Sequence, residues 1–266
     1  MIRRGIFLSG ITVLCAWTLV PLYFIALGAL GGRDAVNRWP KPFWPASLSF
    51  ATLHEFFGIS GVWTSMLYSI EAAVLCMIFS ILLGVPAGYA LARFAFAGST
   101  VYRLLVLLTR AFPVAILALP LTVTFIRLGL YDTPLGVSLV HTTLALPFAV
   151  LVSASLFQAI PREFEEAAWV FGCSGRSAFL RVVLPLALPG IAATSIFAFV
   201  ISWNEVFAAT VLTVRHKTLT AYLLSVLAES PLHVQFAGGF MLIVPSVLFI
   251  FLVRRHLFAM WGIANR

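Results

Sequence analysis

Three stretches of this sequence place side chains capable of chemistry inside or beside strongly apolar runs. The first reads EFEEAAWVFG, residues 163–172, and is followed by Leu184-Pro185. Carboxylates grouped as Glu163, Glu165 and Glu166 complement the positive end of a helix dipole. The second is Trp203-Asn204-Glu205. An aromatic face beside an amide and a carboxylate can stack on the carbon skeleton of a polar solute while hydrogen-bonding its hydroxyls; the same three residues can instead fix helix packing or a gate. The third is the pair Arg110 and Glu71, each within an apolar run. Ionisable groups there are costly and so point to a solute pathway, although the two could also pair with each other or reach toward opposite faces of a bilayer.

Other chemistries find no support. His54-Glu55 begins a zinc-protease pattern, but residue 58 is Gly58 where the second histidine would stand. Cys15, Cys76 and Cys173 form no CxxC pair and read as small buried or lipid-facing residues. No metal and no cofactor is indicated on this chain. Its only lysines, Lys41 and Lys217, lie outside any GxxxxGK[ST] loop, so the phosphate cradle of an ATPase is missing. The net charge of +8 comes mostly from arginines scattered singly or in pairs. Without a basic stripe interleaved with stacking aromatics, nucleic acid is not a partner.

The elements that must position these residues are membrane helices. Of the 266 residues, 62% are hydrophobic and 10% charged, against roughly 25% charged in soluble domains, and the mean hydropathy is +1.06. A soluble fold would have no polar surface to wear. Six runs approach the length of about 20 residues needed to span a bilayer: roughly 6–30, 63–92, 103–126, 135–157, 186–212 and 236–256. The first is too long for a cleaved signal and is expected to stay as a span.

Arginines at 3, 4, 93, 103, 162, 176, 181, 254, 255 and 266 outnumber the basic residues at 33, 38, 41, 127, 215 and 217 on the other side. That bias predicts both termini in the cytoplasm. WPKPFWP, residues 39–45, reads as an ordered connection at the outer water–lipid boundary, rich in prolines and interfacial aromatics. Gly84, Gly88 and Ala92 form a small-residue face suited to close helix packing. Pro113, Pro120 and Pro147 interrupt the third and fourth runs.

Between the fourth and fifth runs, residues 158–185 leave the membrane. Pro161 and the glutamates start a helix, which is amphipathic through Phe164, Ala168 and Phe171, and Gly172 and Gly175 break it. A second short helix over about 177–183 carries Arg181 in its last turn and is expected to stop at Pro185.

Glu166-Ala167-Ala168, three residues, Gly172, nine residues, then Val182-Val183-Leu184-Pro185 resembles the EAA loop of ABC importer permeases, EAA-x3-G-x9-I-x-LP, with Val182 in place of Ile. Phe171 stands where that family commonly has Asp. GVPAGYALARFAFAG (84–98), LPFAV (146–150), PREFEEAAWVFG (161–172) and SWNEVFAATVLT (202–213) look like the second permease of sugar and polyol importers. TRAFPVAILALPLTVTFIRLGLYDTPLG (109–136) leans toward the polyol branch.

The resemblance implies an all-α membrane protein, with six transmembrane helices in the type I ABC importer permease fold and a cytoplasmic coupling-helix elbow. It implies a bacterial inner-membrane location, a homologous second permease, two cytoplasmic ATPase subunits that bind ATP and magnesium, and an extracytoplasmic solute-binding protein. Glu165, Glu166, Ala167, Ala168, Gly172, Leu184 and Pro185 would then couple the chain to the ATPase. Glu166 would pair with its cation, the alanines would keep the contacting face small, and Leu184-Pro185 would anchor the elbow to the fifth span. Trp203, Asn204, Glu205 and Arg110 are the residues expected along the solute pathway.

An importer for another solute class, such as a polyamine or phosphate, shares the same loop. An ion-gradient transporter is the reading from a different class; no inverted repeat or matching pair of Gly/Pro-broken helices favours it. A membrane anchor without transport would leave the elbow as a docking site only.

Overall fold

The computed structural model describes residues 2–45 and 47–260. Arg266, and the side chains of Arg3, Arg4, Arg254 and Arg255 used above for orientation, lie outside the described residues. Among those described, every regular element is helical and no strand occurs. In chain order the helices are α1 (Ile2–Leu30), α2 (Gly32–Asn37), α3 (Ala51–Gly58), α4 (Val62–Arg93), α5 (Ser99–Leu108), α6 (Val114–Leu128), α7 (Pro134–Ala159), α8 (Glu163–Val170), α9 (Gly175–Ala178), α10 (Leu184–Asn204), α11 (Phe207–Leu212), α12 (Leu219–Ser225) and α13 (Leu232–Met260). Five stretches are long and apolar enough to cross a membrane: Phe7–Leu30, Val62–Arg93, Pro134–Ala159, Gly175–Asn204 and Leu232–Phe251. A sixth is present if the bent pair Ser99–Ala111 and Ile116–Leu128 counts as one span.

The chain forms two compact units. One takes the residues up to Trp63 together with Tyr222–Pro245. Here α1, α2 and α3 pack together around the fully buried Phe56. Gly28 lets α1 meet the ring of Phe236 on α13, which a Cβ would approach to 2.5 Å. Arg33 Nη2 donates to Glu55 Oε1 at 2.9 Å, and His233 Nε2 lies 3.2 Å from Glu55 Oε2. The hydrogen bond from Arg33 is the main reason the Glu55 carboxyl sits below the ordinary carboxylate range. Within 39–45, Trp39, Phe43 and Trp44 are exposed. Phe43 and Trp44 lie against Phe24 and Tyr23 of α1, which holds the connection in place.

The second unit takes Thr64–Ala221 and the chain from Ser246 on. Its centre is α7, whose buried positions run from Gly136 to Phe157 and which packs along α10. The small face of α4 meets α7 directly: a Cβ on Gly84 would stand 2.7 Å from Ala149 Cβ, and one on Gly88 would stand 2.5 Å from Ser153 Cβ. Gly190 does the same for α10, where a Cβ would come within 2.3 Å of Leu156.

The third apolar run is not a straight helix, since its two halves meet at 92°. Pro113 is in extended backbone at the N-cap of α6 and ends the first half, whereas Pro120 and Pro147 are carried inside α6 and α7. Proline restricts the residue before it to extended backbone, which accounts for Phe112 at ψ 118.

At the end of α6 the chain turns through Asp132, whose φ of 58° is left-handed. Its Oδ1 accepts from the N–H groups of Val214 at 2.7 Å and of Arg215 and His216 at 3.0 Å each. Burial pushes this carboxyl up, but the three N–H donors outweigh it and hold the group below its ordinary range.

Two outcomes are expected. Gly88→Ala should lower the melting temperature in detergent, because overpacking of this kind costs about 1–3 kcal/mol, whereas Gly10→Ala, with nothing within 4 Å of the new Cβ, should not. The folded Asp132 carboxyl is lower than its unfolded value, so its contribution is fully present above about pH 4 and is lost as pH falls through the lowered value. Hydrogen exchange should report protected amides at 214–216 near neutrality and loss of that protection on acidification; Asp132→Ala should lose it at neutral pH.

Candidate functional site

The elbow is built from the first turn of α8 inward. Arg162 is the N-cap and Glu163, Glu165 and Glu166 occupy the first turn, where the helix dipole favours negative charge. The two adjacent glutamates part company. Glu166 is exposed and Glu165 is 3% exposed. Glu165 Oε2 accepts from the Tyr89 hydroxyl at 2.7 Å, and its Oε1 is paired with the Arg93 guanidinium. Arg93 Nη2 also donates to the Ile160 carbonyl at 2.9 Å, and Arg162 Nη2 donates to the Arg93 carbonyl at 3.1 Å.

The buried face of α8 is therefore Glu165 with Ala168, not the expected Phe164, Ala168 and Phe171. Phe164 is half exposed and Phe171 is 86% exposed. Apolar side chains lose the inner face because Arg93 and Tyr89 supply partners that a buried carboxylate requires.

Gly172 ends α8 as the sequence predicts. At φ +85° it adopts the left-handed conformation that side chains resist. Its N–H donates to the Trp169 carbonyl and the Cys173 N–H to the Ala168 carbonyl, both at 2.9 Å, so the last carbonyls of α8 are satisfied. Ser174 then caps α9, its hydroxyl accepting from Ser177 N–H at 3.3 Å.

The expected stop at Pro185 does not occur. Helix runs on from α9 through a π turn, Phe179–Val183, into α10. Leu184 N–H donates to the Phe179 carbonyl, five residues back. Proline at 185 lacks an N–H and its ring would crowd the carbonyl of residue 181 in an α-helix; widening the turn before it removes the conflict. Leu184 is half buried and Pro185 exposed. Ala167 is exposed beside Glu166.

Trp203, Asn204 and Glu205 do not share a face. Trp203 is 1% exposed and stacked on Phe199 with the rings 8° from parallel. Asn204 is exposed, and its side-chain amide donates to the Val200 carbonyl at 2.9 Å. Glu205 sits at the break after α10. It accepts from the N–H groups of Phe207, Ala208 and Ala209 at 3.0, 3.1 and 3.2 Å, so its carboxylate caps α11. His141 Nε2, from the middle of α7, lies 3.0 Å from Glu205 Oε2, and His141 Nδ1 lies 2.7 Å from the Ser202 hydroxyl. His141 is fully buried.

Arg110 is exposed at the 92° break. It lines a cavity of about 1020 Å³ with Thr109, Phe112, Thr142, Thr143 and Ile201. Glu71 is exposed on α4, and among the described residues no ion pair joins it to Arg110.

Tyr89, Arg93 and His141 escaped the sequence reading. Arg93 entered there only as a topogenic charge, and a tyrosine one helical turn before it carried no mark. His141 did carry a signal, because a titratable group inside an apolar run needs a partner by default. Glu205→Ala should destabilise the protein by about 1–2 kcal/mol, the usual cost of an N-cap, read as a lower melting temperature in detergent. Ser202→Ala, which removes one partner of His141 and leaves the cap, should cost less.

Residues 80–260 match the family of binding-protein-dependent transport system inner membrane components. The trehalose transport system permease protein SugB of Mycobacterium tuberculosis (strain CDC 1551 / Oshkosh) is 28% identical over 254 residues, covering 93% of this chain and 92% of that one. Among solved structures, a chain of a bacterial ABC transporter involved in the import of the acidic polysaccharide alginate superposes with a TM-score of 0.74 at 24% identity, over 95% of this chain and 94% of that one. A chain of a bacterial alginate ABC transporter in complex with alginate pentasaccharide-bound periplasmic protein gives 0.68 at 14% identity, over 99% and 96%. The chain belongs to the binding-protein-dependent transport system inner membrane components, and it has the type I permease fold of ABC importers.

Proposed function

We infer that this permease imports a sugar, a polyol or a related small polar solute, handed over by an extracytoplasmic binding protein and driven by ATP hydrolysed on separate subunits. The similarity to a trehalose permease over nearly the whole of both chains supports the solute class. The chain pairs with a homologous permease, and two cytoplasmic ATPase subunits bind ATP and magnesium. Both termini lie on the cytoplasmic side, together with the elbow.

The observation that carries this reading is the outer face of α8. Glu166 and Ala167 are exposed there, with Trp169 half exposed and Val170 and Phe171 at 85% and 86%. A short helix that keeps a carboxylate beside exposed apolar side chains has the composition of a docking element. A hollow of about 130 Å³ beside Glu166 is lined by Arg93, Arg162, Glu165 and Trp169 together with Tyr89 and Phe94. Gly172 holds the turn, and the continuous helix from Gly175 to Asn204 leads from the docked elbow into the membrane.

The solute route uses Arg110, with Thr142 and Thr143, along the cavity at the 92° break. Asn204 is the exposed member of the trio at the end of α10, and Glu205 keeps the break after it in shape through α11.

Co-expression of this chain with its second permease and ATPase tests the reading. Glu166→Lys should lose ATPase during purification in detergent and abolish ATP-dependent uptake of the solute bound by the binding protein. Gly172→Leu, strained at positive φ, should weaken both. Uptake by the Glu166→Lys complex that continues at the wild-type rate, or that follows an ion gradient with ATP absent, would overturn the importer reading.

A further inference from the structure

Tyr89, Arg93 and Glu165 form a largely buried group that joins the inner face of α8 to α4, and the same three side chains line the hollow beside Glu166. Arg93 and Glu165 are 72 residues apart in the chain. The Arg93 and Glu165 side chains are 7% and 4% exposed, so both charges have been taken out of water. That arrangement is costly unless every remaining donor and acceptor is used. Here they are used. Glu165 accepts on both oxygens, Arg93 also serves the Ile160 carbonyl, and Arg162 returns a bond to the Arg93 carbonyl.

The four bonds tie the last turn of α4 to the chain segment 160–165 from both sides. The ring of Tyr89 packs against Phe157 of α7 at 5.3 Å between centroids and against Phe179 of the π turn at 4.5 Å. Tyr89 of α4 thus touches α7, α8 and the π turn that leads into α10. At the other end of the elbow, Gly172 and Gly175 have nothing within 4 Å of where a Cβ would stand. That end is open and turned by glycine. The two ends differ in kind: one end of α8 is held by buried side-chain hydrogen bonds, the other by the backbone turn at Gly172.

We propose that Tyr89, Arg93 and Glu165 are positioning residues for transport, forming a strut that makes α4 move with α8 as one body when the ATPase displaces the elbow. This rests on α8 being the ATPase contact. A buried ion pair suits the task because its geometry is narrow: removing one partner leaves the other charge unpaired, so the joint holds one arrangement or fails. Since α4 lies against α7 through Gly84 and Gly88, motion imposed on its cytoplasmic end is passed along a close-packed seam rather than absorbed by flexible side chains.

The test uses the whole complex of this chain, its second permease and its ATPase. In a chain whose three cysteines are replaced by serine, spin labels are placed at Leu82→Cys on α4 and Phe164→Cys on α8, both exposed and the latter outside the docking face. The inter-label distance is measured without nucleotide and after trapping with ATP, magnesium and vanadate. With Tyr89, Arg93 and Glu165 intact, the distance distribution should be the same in both states. Glu165→Gln should introduce a nucleotide-dependent shift, and Tyr89→Phe, which removes one hydroxyl and leaves the ion pair, should introduce a smaller one.

A nucleotide-dependent shift in the intact chain overturns the strut. So does a distance that stays nucleotide-independent in Glu165→Gln while the ATPase remains bound and traps vanadate. If Glu165→Gln fails to assemble, Tyr89→Phe decides, and no shift there overturns the proposal. Failure of the ATPase to co-purify with the unsubstituted chain is a different result: it removes the importer reading, and the strut with it.

Discussion

Lipid gives helices no hydrophobic reason to associate, so they must approach closely enough for dispersion and polar contacts to hold them. Helix α7 is where this constraint is met. Gly84 and Gly88 of α4 and Gly190 of α10 present bare backbone to it, at distances where a single methyl group would collide. The seam leaves little room, and whatever polar group lies within it must find its partner there. His141 does so through Ser202 and Glu205. The break after α10 is shaped by the same requirement: Glu205 turns its carboxylate to three N–H groups of α11, and its Oε2 also lies 3.0 Å from His141 Nε2 of α7.

The elbow shows the complementary arrangement. Its outer side carries exposed apolar and acidic groups, and its inner side is a satisfied ion pair. The π turn before Pro185 adds continuity. A proline that could have ended the helix is accommodated by one widened turn, and the elbow passes into α10 without a loop. The outer connections follow the same logic with different chemistry. Asp132 holds residues 214–216 by backbone donors, and Glu55 ties α3 to Arg33 of α2.

Several features were legible because they rest on local sterics or on composition. The apolar runs follow from hydropathy. The close-packing face of α4 follows from glycines spaced one turn apart, and the turn at Gly172 from a backbone conformation that other residues resist. The all-α class and the elbow between the fourth and fifth runs needed nothing further. The 92° break of the third run was marked by Pro113, yet Pro120 and Pro147 carry the same mark and stay within helices, because neighbouring packing decides whether a proline bends a membrane helix or ends it.

By itself, then, the sequence determined which runs are long and apolar, that a short acidic helix lies between two of them, and that this helix ends at Gly172. It could not distinguish Glu165 from Glu166, which are neighbours of the same type. Only tertiary structure separated them. Successive residues point roughly 100° apart around a helix, and the direction that becomes the interior was chosen by Arg93 and Tyr89, far away in sequence. The roles of His141 and Glu205, of Trp203 in the core, and of Asp132 as a cap for distant amides were decided in the same way. Local signals reside in the backbone and in hydropathy, whereas the meaning of a charge depends on the partner that folding brings to it.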